Sequence, residues 1–161
     1  MSVLKVIEEI VSDRNTKHCV SAVKHIKPQQ PIYGPFPSGL LPETVRAIKE
    51  KGVRELYSHQ ALAVEFALDG KNVVVVTPTA SGKTEAFAIP IIQKIASENN
   101  RNGILAIFVY PTKALARDQF PKIREIAKSV GVMADVFDGD TKESDRNKIL
   151  DDLPQIIVTN F

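Results

Sequence analysis

Two apolar patterns alternate along the chain. Short runs rich in valine and isoleucine lie at Val73–Val76, Ile104–Tyr110, Met133–Phe137 and Ile156–Thr159. They lack polar alternation, which predicts strands buried on both faces. Between them apolar residues recur three and four apart, which predicts helices over Leu41–Lys51, His59–Leu68, Lys83–Glu98 and Ala114–Val130, with a more polar one over Lys142–Asp152. The punctuation agrees. Pro42 suits a first helical turn, Ser58 can cap the helix that follows it, and Gly52 and Gly131 are natural stops. Strands alternating with helices predict an α/β fold with right-handed crossovers and a mainly parallel sheet. Ligands of such sheets bind beyond the carboxyl ends of the strands.

The first part of the chain differs. Val3, Ile7, Ile10 and Val11 place one buried face on a helix over Val3–Asp13. Five prolines, Pro28, Pro31, Pro35, Pro37 and Pro42, then predict an extended arm over Pro28–Pro37. Residues 1–42 are therefore expected to form an N-terminal helix and arm, and residues 43–161 the α/β domain.

Composition narrows the function classes only a little. A net charge of +2 on 161 residues permits nucleic acid as a partner without arguing for it. Cys19 is the single cysteine, so no internal disulfide can form, and with three histidines it lacks metal-ligand spacing. No apolar run approaches the roughly 18 residues of a membrane span. The chain reads as soluble, intracellular (cytoplasmic) and without a membrane partner.

The chemistry concentrates at strand ends. In "NVVVVTPTASGKTEAF", Asn72–Phe87, a strand, a tight turn and a helix start follow one another. A phosphate-binding loop needs inward backbone N–H groups, a helix N-terminus behind them, a lysine for the outer phosphates and a hydroxyl for magnesium. Thr79, Ala80, Ser81, Gly82, Lys83 and Thr84 can supply these. Thr77 stands where the usual pattern has glycine, and Ala80 opposes a positive φ there. Upstream, the amide of Gln60 offers a donor and an acceptor that match the N6 and N7 edge of adenine. Downstream, "YPTKALARDQ" (Tyr110–Gln119) joins a strand end to a hydroxyl, a cation and a helix start, all donors for a nucleic-acid phosphate. Gly139 in "DGDT" can let a sugar-phosphate chain approach, and Thr159 in "VTN" can donate to a phosphate.

"TPTASGKT" resembles the first ATP-binding motif of superfamily 2 helicases, whose usual form is Ala-x-Thr-Gly-Ser-Gly-Lys-Thr; the departure at Ala80 points to a DExH-like subgroup. "YPTKALARDQ" resembles their motif Ia, with Ala114 where glutamate is usual, and "DGDT" and "VTN" resemble the next two elements. From about Cys19 onward the chain is similar to the first RecA-like domain of DExH-box DNA helicases. Within these it is nearest the subgroup with a cysteine-rich C-terminal domain that acts in genome maintenance.

The resemblance implies a three-layer RecA-like P-loop NTPase fold that uses ATP and Mg2+. It implies ATP contacts from residues 79–84, with Lys83 and Thr84 catalytic and Thr84 holding magnesium through ATP. It implies that Gln60 selects adenine beneath a stacking ring, for which Phe36 is the first candidate and Tyr33 the second. It implies that Pro111, Thr112, Lys113, Gly139 and Thr159 contact a single nucleic-acid strand, DNA favoured over RNA. A second RecA-like domain and C-terminal regions outside this chain are the implied partners.

ATP hydrolysis also needs one carboxylate for magnesium and another for the attacking water. In helicases an Asp-Glu pair after a further strand supplies them, and no Asp-Glu dipeptide occurs here. "ILDD", Ile149–Asp152, reads as a solvated helix end. The domain is thus expected to be truncated before that motif, and the chain alone to bind ATP without hydrolysing it or unwinding DNA. Two other classes stay open: a small P-loop kinase or nucleotide-binding regulator, which leaves Gln60, Thr112 and Thr159 unexplained, and a non-catalytic P-loop module.

Overall fold

The computed structural model describes residues 2–27, 30–79, 81–98 and 102–161. Two compact units divide at Pro31/Ile32. In the first, helix α1 (Val3–Ser12) starts at Ser2, whose hydroxyl accepts from the Lys5 amide at 3.3 Å. A single 3-10 turn follows at Lys17–Cys19. The apolar stripe predicts a buried face on α1, yet none of its residues is buried: Val3 is 75% and Ile10 44% exposed. Pro28 and Gln29, within the predicted arm, lie outside the described residues.

The second unit runs in the order β1 (Tyr33–Gly34), α2 (Pro42–Glu50), β2 (Leu56–Tyr57), α3 (Ser58–Leu68), α4 (Lys83–Ser97), β3 (Ala106–Tyr110), α5 (Lys113–Ser129), β4 (Ala134–Val136), α6 (Glu143–Asp151) and β5 (Ile156–Asn160). The last three strands form a parallel sheet in the order β3-β5-β4, with Val109 opposite Thr159 and Tyr110 opposite Asn160. Only the central strand is buried on both faces: Ile156, Ile157 and Val158 are at most 6% exposed. Burying side chains of this size stabilises by about 1.5–3 kcal/mol each. The expectation of two buried faces fails for β3, whose Phe108 and Tyr110 enter the core while Ile107 and Val109 stay exposed. Helices α4 and α5 pack on the face that carries Phe108 and Tyr110, and Ile107 and Val109 point away from that cluster.

The larger correction concerns Val73–Val76. Among the described residues these valines join no ladder. Val74 and Val76 are 88% and 89% exposed, whereas Val73 and Val75 face a cavity. The segment keeps the sidedness of a strand but has no neighbour to bond its backbone, and a strand exists only as part of a ladder.

Two cores hold the unit. One packs α4 and α5 against the sheet through Ile92, Ile123, Phe108 and Val158. The other gathers Leu40, Ile48, Leu56, Val64 and Ile89 around α2, α3 and α4. Gln93 of α4 fastens the start of α2, accepting from the Leu41 amide at 2.8 Å and the Thr44 hydroxyl at 2.9 Å. β1 and β2 pair antiparallel over two residues, a connection absent from the predicted elements.

Candidate nucleotide and nucleic-acid site

The start of α4 is where the sequence places the phosphate loop. Gly82 is its N-cap at φ 75°, in the left-handed region that costs other residues about 1–2 kcal/mol. A β-carbon there would also strike the Gln60 amide. Gln60 is 5% exposed and ties the loop to α3: its Nε2 donates to the Gly82 carbonyl at 2.8 Å, and its Oε1 accepts from the Tyr57 amide at 2.9 Å. One N–H and one lone pair of the amide remain for a ligand. His59 Nε2 donates to the Ser81 carbonyl at 2.8 Å, which adds a second tie between α3 and the loop.

Within the loop, the hydroxyls of Thr77 and Ser81 are 2.6 Å apart. The side chain that replaces the usual glycine therefore pins the turn from within. Lys83 Nζ donates to the carbonyls of Thr77 at 2.9 Å and Pro78 at 2.6 Å. The cation is folded back on its own loop and would have to exchange those carbonyls for phosphate oxygens. Ala80 lies outside the described residues.

Thr79, Ser81, Gly82, Lys83 and Thr84 line a cavity of about 1240 Å³, as does Gln60. Phe36 does not: it packs against the second core, with Lys49 Nζ 5.6 Å from its ring centroid. Tyr33 does line the cavity, because the β1–β2 pairing sets it opposite Tyr57. Those two rings stack at 5.4 Å, and Tyr57 stacks on His59 at 5.7 Å. On the floor, Thr84 Oγ1 donates to Gln119 Oε1 of α5 at 2.8 Å. The Tyr110 hydroxyl is buried beside it without a hydrogen-bond partner of good geometry. Burial pushes the Tyr110 pKa up, partly offset by the Thr84 side chain. These groups fit a magnesium-bound nucleotide: the loop offers N–H groups and a cation, the floor a hydroxyl and an orphaned donor, and Gly82 a wall that no β-carbon obstructs.

The other motifs gather at the carboxyl ends of the sheet. Pro111 and Thr112 follow β3 and are exposed, and Thr112 caps α5 by accepting from the Leu115 amide at 3.2 Å. Thr159 lies at the end of β5, beside Val109 in register. Its hydroxyl donates to the Asn160 carbonyl at 3.3 Å. The turn after β4 is fastened to α5. Arg117 grips the Asp138 carboxylate with two bonds of 2.8 and 2.9 Å, and the Asp138 side chain is fully buried. The Arg117 guanidinium, with the Asp140 amide and the Thr141 hydroxyl helping, holds the Asp138 carboxyl far below the usual carboxylate range against the cost of burial. Lys113 Nζ pairs with Asp140 at 2.7 Å and lies beside exposed Gly139. Pro111, Thr112, Lys113, Gly139 and Thr159 thus share one end of the sheet, with α5 running from them to Thr84.

Sequence reasoning gave no site role to four contributors, Tyr57, Arg117, Asp138 and Gln119, although the last three lie within the motifs it singled out. The signal for Asp138 was present, since an aspartate three residues before Thr141 suits a side-chain-closed turn. Nothing local marks Arg117 as its partner. Among the described residues no cluster suited to a bound metal ion occurs, and no helix is long and apolar enough to cross a membrane.

Residues 57–161 match the profile of the DEAD/DEAH box helicases. The chain belongs to that family. It is 35% identical over 97% of its length to the uncharacterized ATP-dependent helicase YprA of Bacillus subtilis (strain 168), of which it covers 21%. It is 30% identical over 93% of its length to the ATP-dependent RNA helicase DDX54 of Mus musculus, of which it covers 17%. The crystal structure of the DUF1998 helicase MrfA bound to DNA and AMPPNP superposes on 99% of the chain with a TM-score of 0.77 at 32% identity, and the match spans 22% of that protein. The α/β architecture with parallel β3-β5-β4 is that of a RecA-like domain. The chain thus spans about a fifth of the length of these relatives.

Proposed function

We propose that this chain is the nucleotide-binding front half of an ATP-dependent DNA helicase motor, holding ATP with magnesium in the 1240 Å³ cavity and a single nucleic-acid strand at the carboxyl ends of β3, β4 and β5. The observation that carries the reading is the hydrogen bond from Thr84 to Gln119, which joins the phosphate loop to the helix headed by Thr112 and Lys113. In this reading the loop amides of Thr79, Ser81 and Gly82 cradle the phosphates. Lys83 leaves its carbonyls for the outer phosphate oxygens, and Thr84 gives its hydroxyl oxygen to the metal. Gln60 reads the adenine edge with its remaining N–H and lone pair. Tyr33, placed in the cavity where Phe36 is not, supplies the stacking face.

DNA is favoured over RNA because the DNA-bound relative MrfA matches nearly the whole chain. A second RecA-like domain and C-terminal regions outside the chain would complete the motor. Glu55 and Glu85 are the carboxylates that line the cavity. Neither belongs to an Asp-Glu pair after a strand, which supports binding without turnover by these residues alone.

Titration of the 161-residue chain with a fluorescent, non-hydrolysable ATP analogue and magnesium tests the reading, alongside single-stranded DNA and RNA of one sequence. Saturable binding that Lys83→Ala weakens by about tenfold or more, roughly one charge-assisted hydrogen bond to phosphate, supports it. Binding indifferent to Lys83 removes it, and tighter binding of RNA reverses the choice of strand.

A further inference from the structure

Thr84 has one hydroxyl proton and two lone pairs, and only a lone pair can hold a cation. Where that proton goes decides whether the oxygen is ready for magnesium. The Gln119 amide settles the direction: its Nε2 donates to the Asp118 carboxylate at 2.6 Å, so its Oε1 faces Thr84 and can only accept, at 2.8 Å. The Thr84 proton is thereby committed away from the nucleotide. The Tyr110 hydroxyl also lies beside Thr84 at the floor, but among the described residues the hydrogen bond that Thr84 donates is the one to Gln119. Among the described residues, the Gln119 amide hydrogen-bonds to Thr84 and Asp118 and to no backbone group of α4 or of the loop.

We propose that Gln119 is a positioning residue for the magnesium ion of the bound nucleotide: by accepting the Thr84 proton it leaves the Thr84 oxygen free to coordinate the metal. The proposal rests on the nucleotide-site reading. It deepens it by making the metal's share of binding depend on a residue of α5, the helix whose first turn carries the candidate nucleic-acid contacts. Outer groups that orient a metal ligand typically change metal affinity by about 10- to 100-fold when removed.

The test is a magnesium titration of non-hydrolysable ATP-analogue binding by the 161-residue chain, in the parent, Gln119→Ala, Gln119→Glu and Lys83→Ala. Circular dichroism melts confirm that each variant is folded. The parent should bind more tightly as magnesium rises. In Gln119→Ala the magnesium concentration giving half of that gain should rise about tenfold. In Gln119→Glu, which still accepts the Thr84 proton, it should stay within about threefold of the parent. A half-point in Gln119→Ala within about twofold of the parent, with binding still sensitive to Lys83→Ala, overturns the proposal and leaves the nucleotide site standing. So does equal loss in the Ala and Glu variants, since a purely steric role predicts no rescue by an acceptor. Binding that ignores Lys83→Ala overturns the nucleotide site and the proposal with it.

Discussion

The Thr77–Thr84 loop and the Asp138–Thr141 turn are the two candidate phosphate contacts in this molecule, yet they are held by opposite principles. Hydrogen bonds from Gln60, His59 and Thr77, with no carboxylate among them, hold the loop, and its one cation, Lys83, is spent on loop carbonyls. Ions hold the turn: a buried carboxylate in a two-bond grip, with the Lys113–Asp140 pair beside it. Neutral bonds are individually worth about 1 kcal/mol and can be exchanged when a ligand arrives. A buried charge cannot leave its partner without a large desolvation cost. The loop is built to rearrange and the turn to stay.

The comparison can be broken most severely at Gly82. Gly82→Ala adds left-handed strain of about 1–2 kcal/mol and displaces the Gln60 amide, another 1 kcal/mol or so per lost bond. Nucleotide affinity should fall by about a hundredfold, read by the same titration, while single-strand binding changes little. The converse experiment is Asp138→Asn, which should lower stability by about 1–3 kcal/mol at pH 7 in urea melts. Its pH dependence sharpens the point. The folded Asp138 pKa is depressed, so the parent has this contribution in full above the unfolded value of about 3.9 and loses it as pH falls below that. The gap between parent and Asp138→Asn should therefore narrow as pH drops from 4 toward 2; a constant gap contradicts the buried ionic grip. The smallest effect belongs to Lys113. Lys113→Ala should weaken single-strand binding two- to fivefold and reduce the salt slope by about 1. Asp140→Asn, which frees the same cation, should tighten binding by about twofold.

What the sequence made legible follows the same division between local and distant causes. Helix α4 begins at Lys83 as predicted and α5 within one residue of it, because a glycine or threonine cap and a 3.6-residue pattern are written locally. Strand β5 is found at Ile156 because its short apolar run, Ile156–Val158, is equally local. Val73–Val76 carries an equally strong strand pattern and is not one, since ladder formation depends on a neighbour that the pattern does not specify. The cavity ring fell to Tyr33 because of a two-residue pairing in a proline-rich segment. Spacing from Gln60 ranked Phe36 first, but the packing around Leu40 and Ile48 claimed that ring. Gln60 was visible as a polar group near the loop. That both ends of its amide are engaged depends on the fold, which brings Gly82 to α3.

The chain has three tyrosines and no tryptophan. Tyr33, Tyr57 and Tyr110 all border the same cavity. Two are stacked on each other at its rim and one is buried at its floor beside the threonine assigned to the metal. All the tyrosine emission of the chain therefore originates within one ligand's reach. The site carries its own optical label, and its filling can be followed on the unmodified polypeptide.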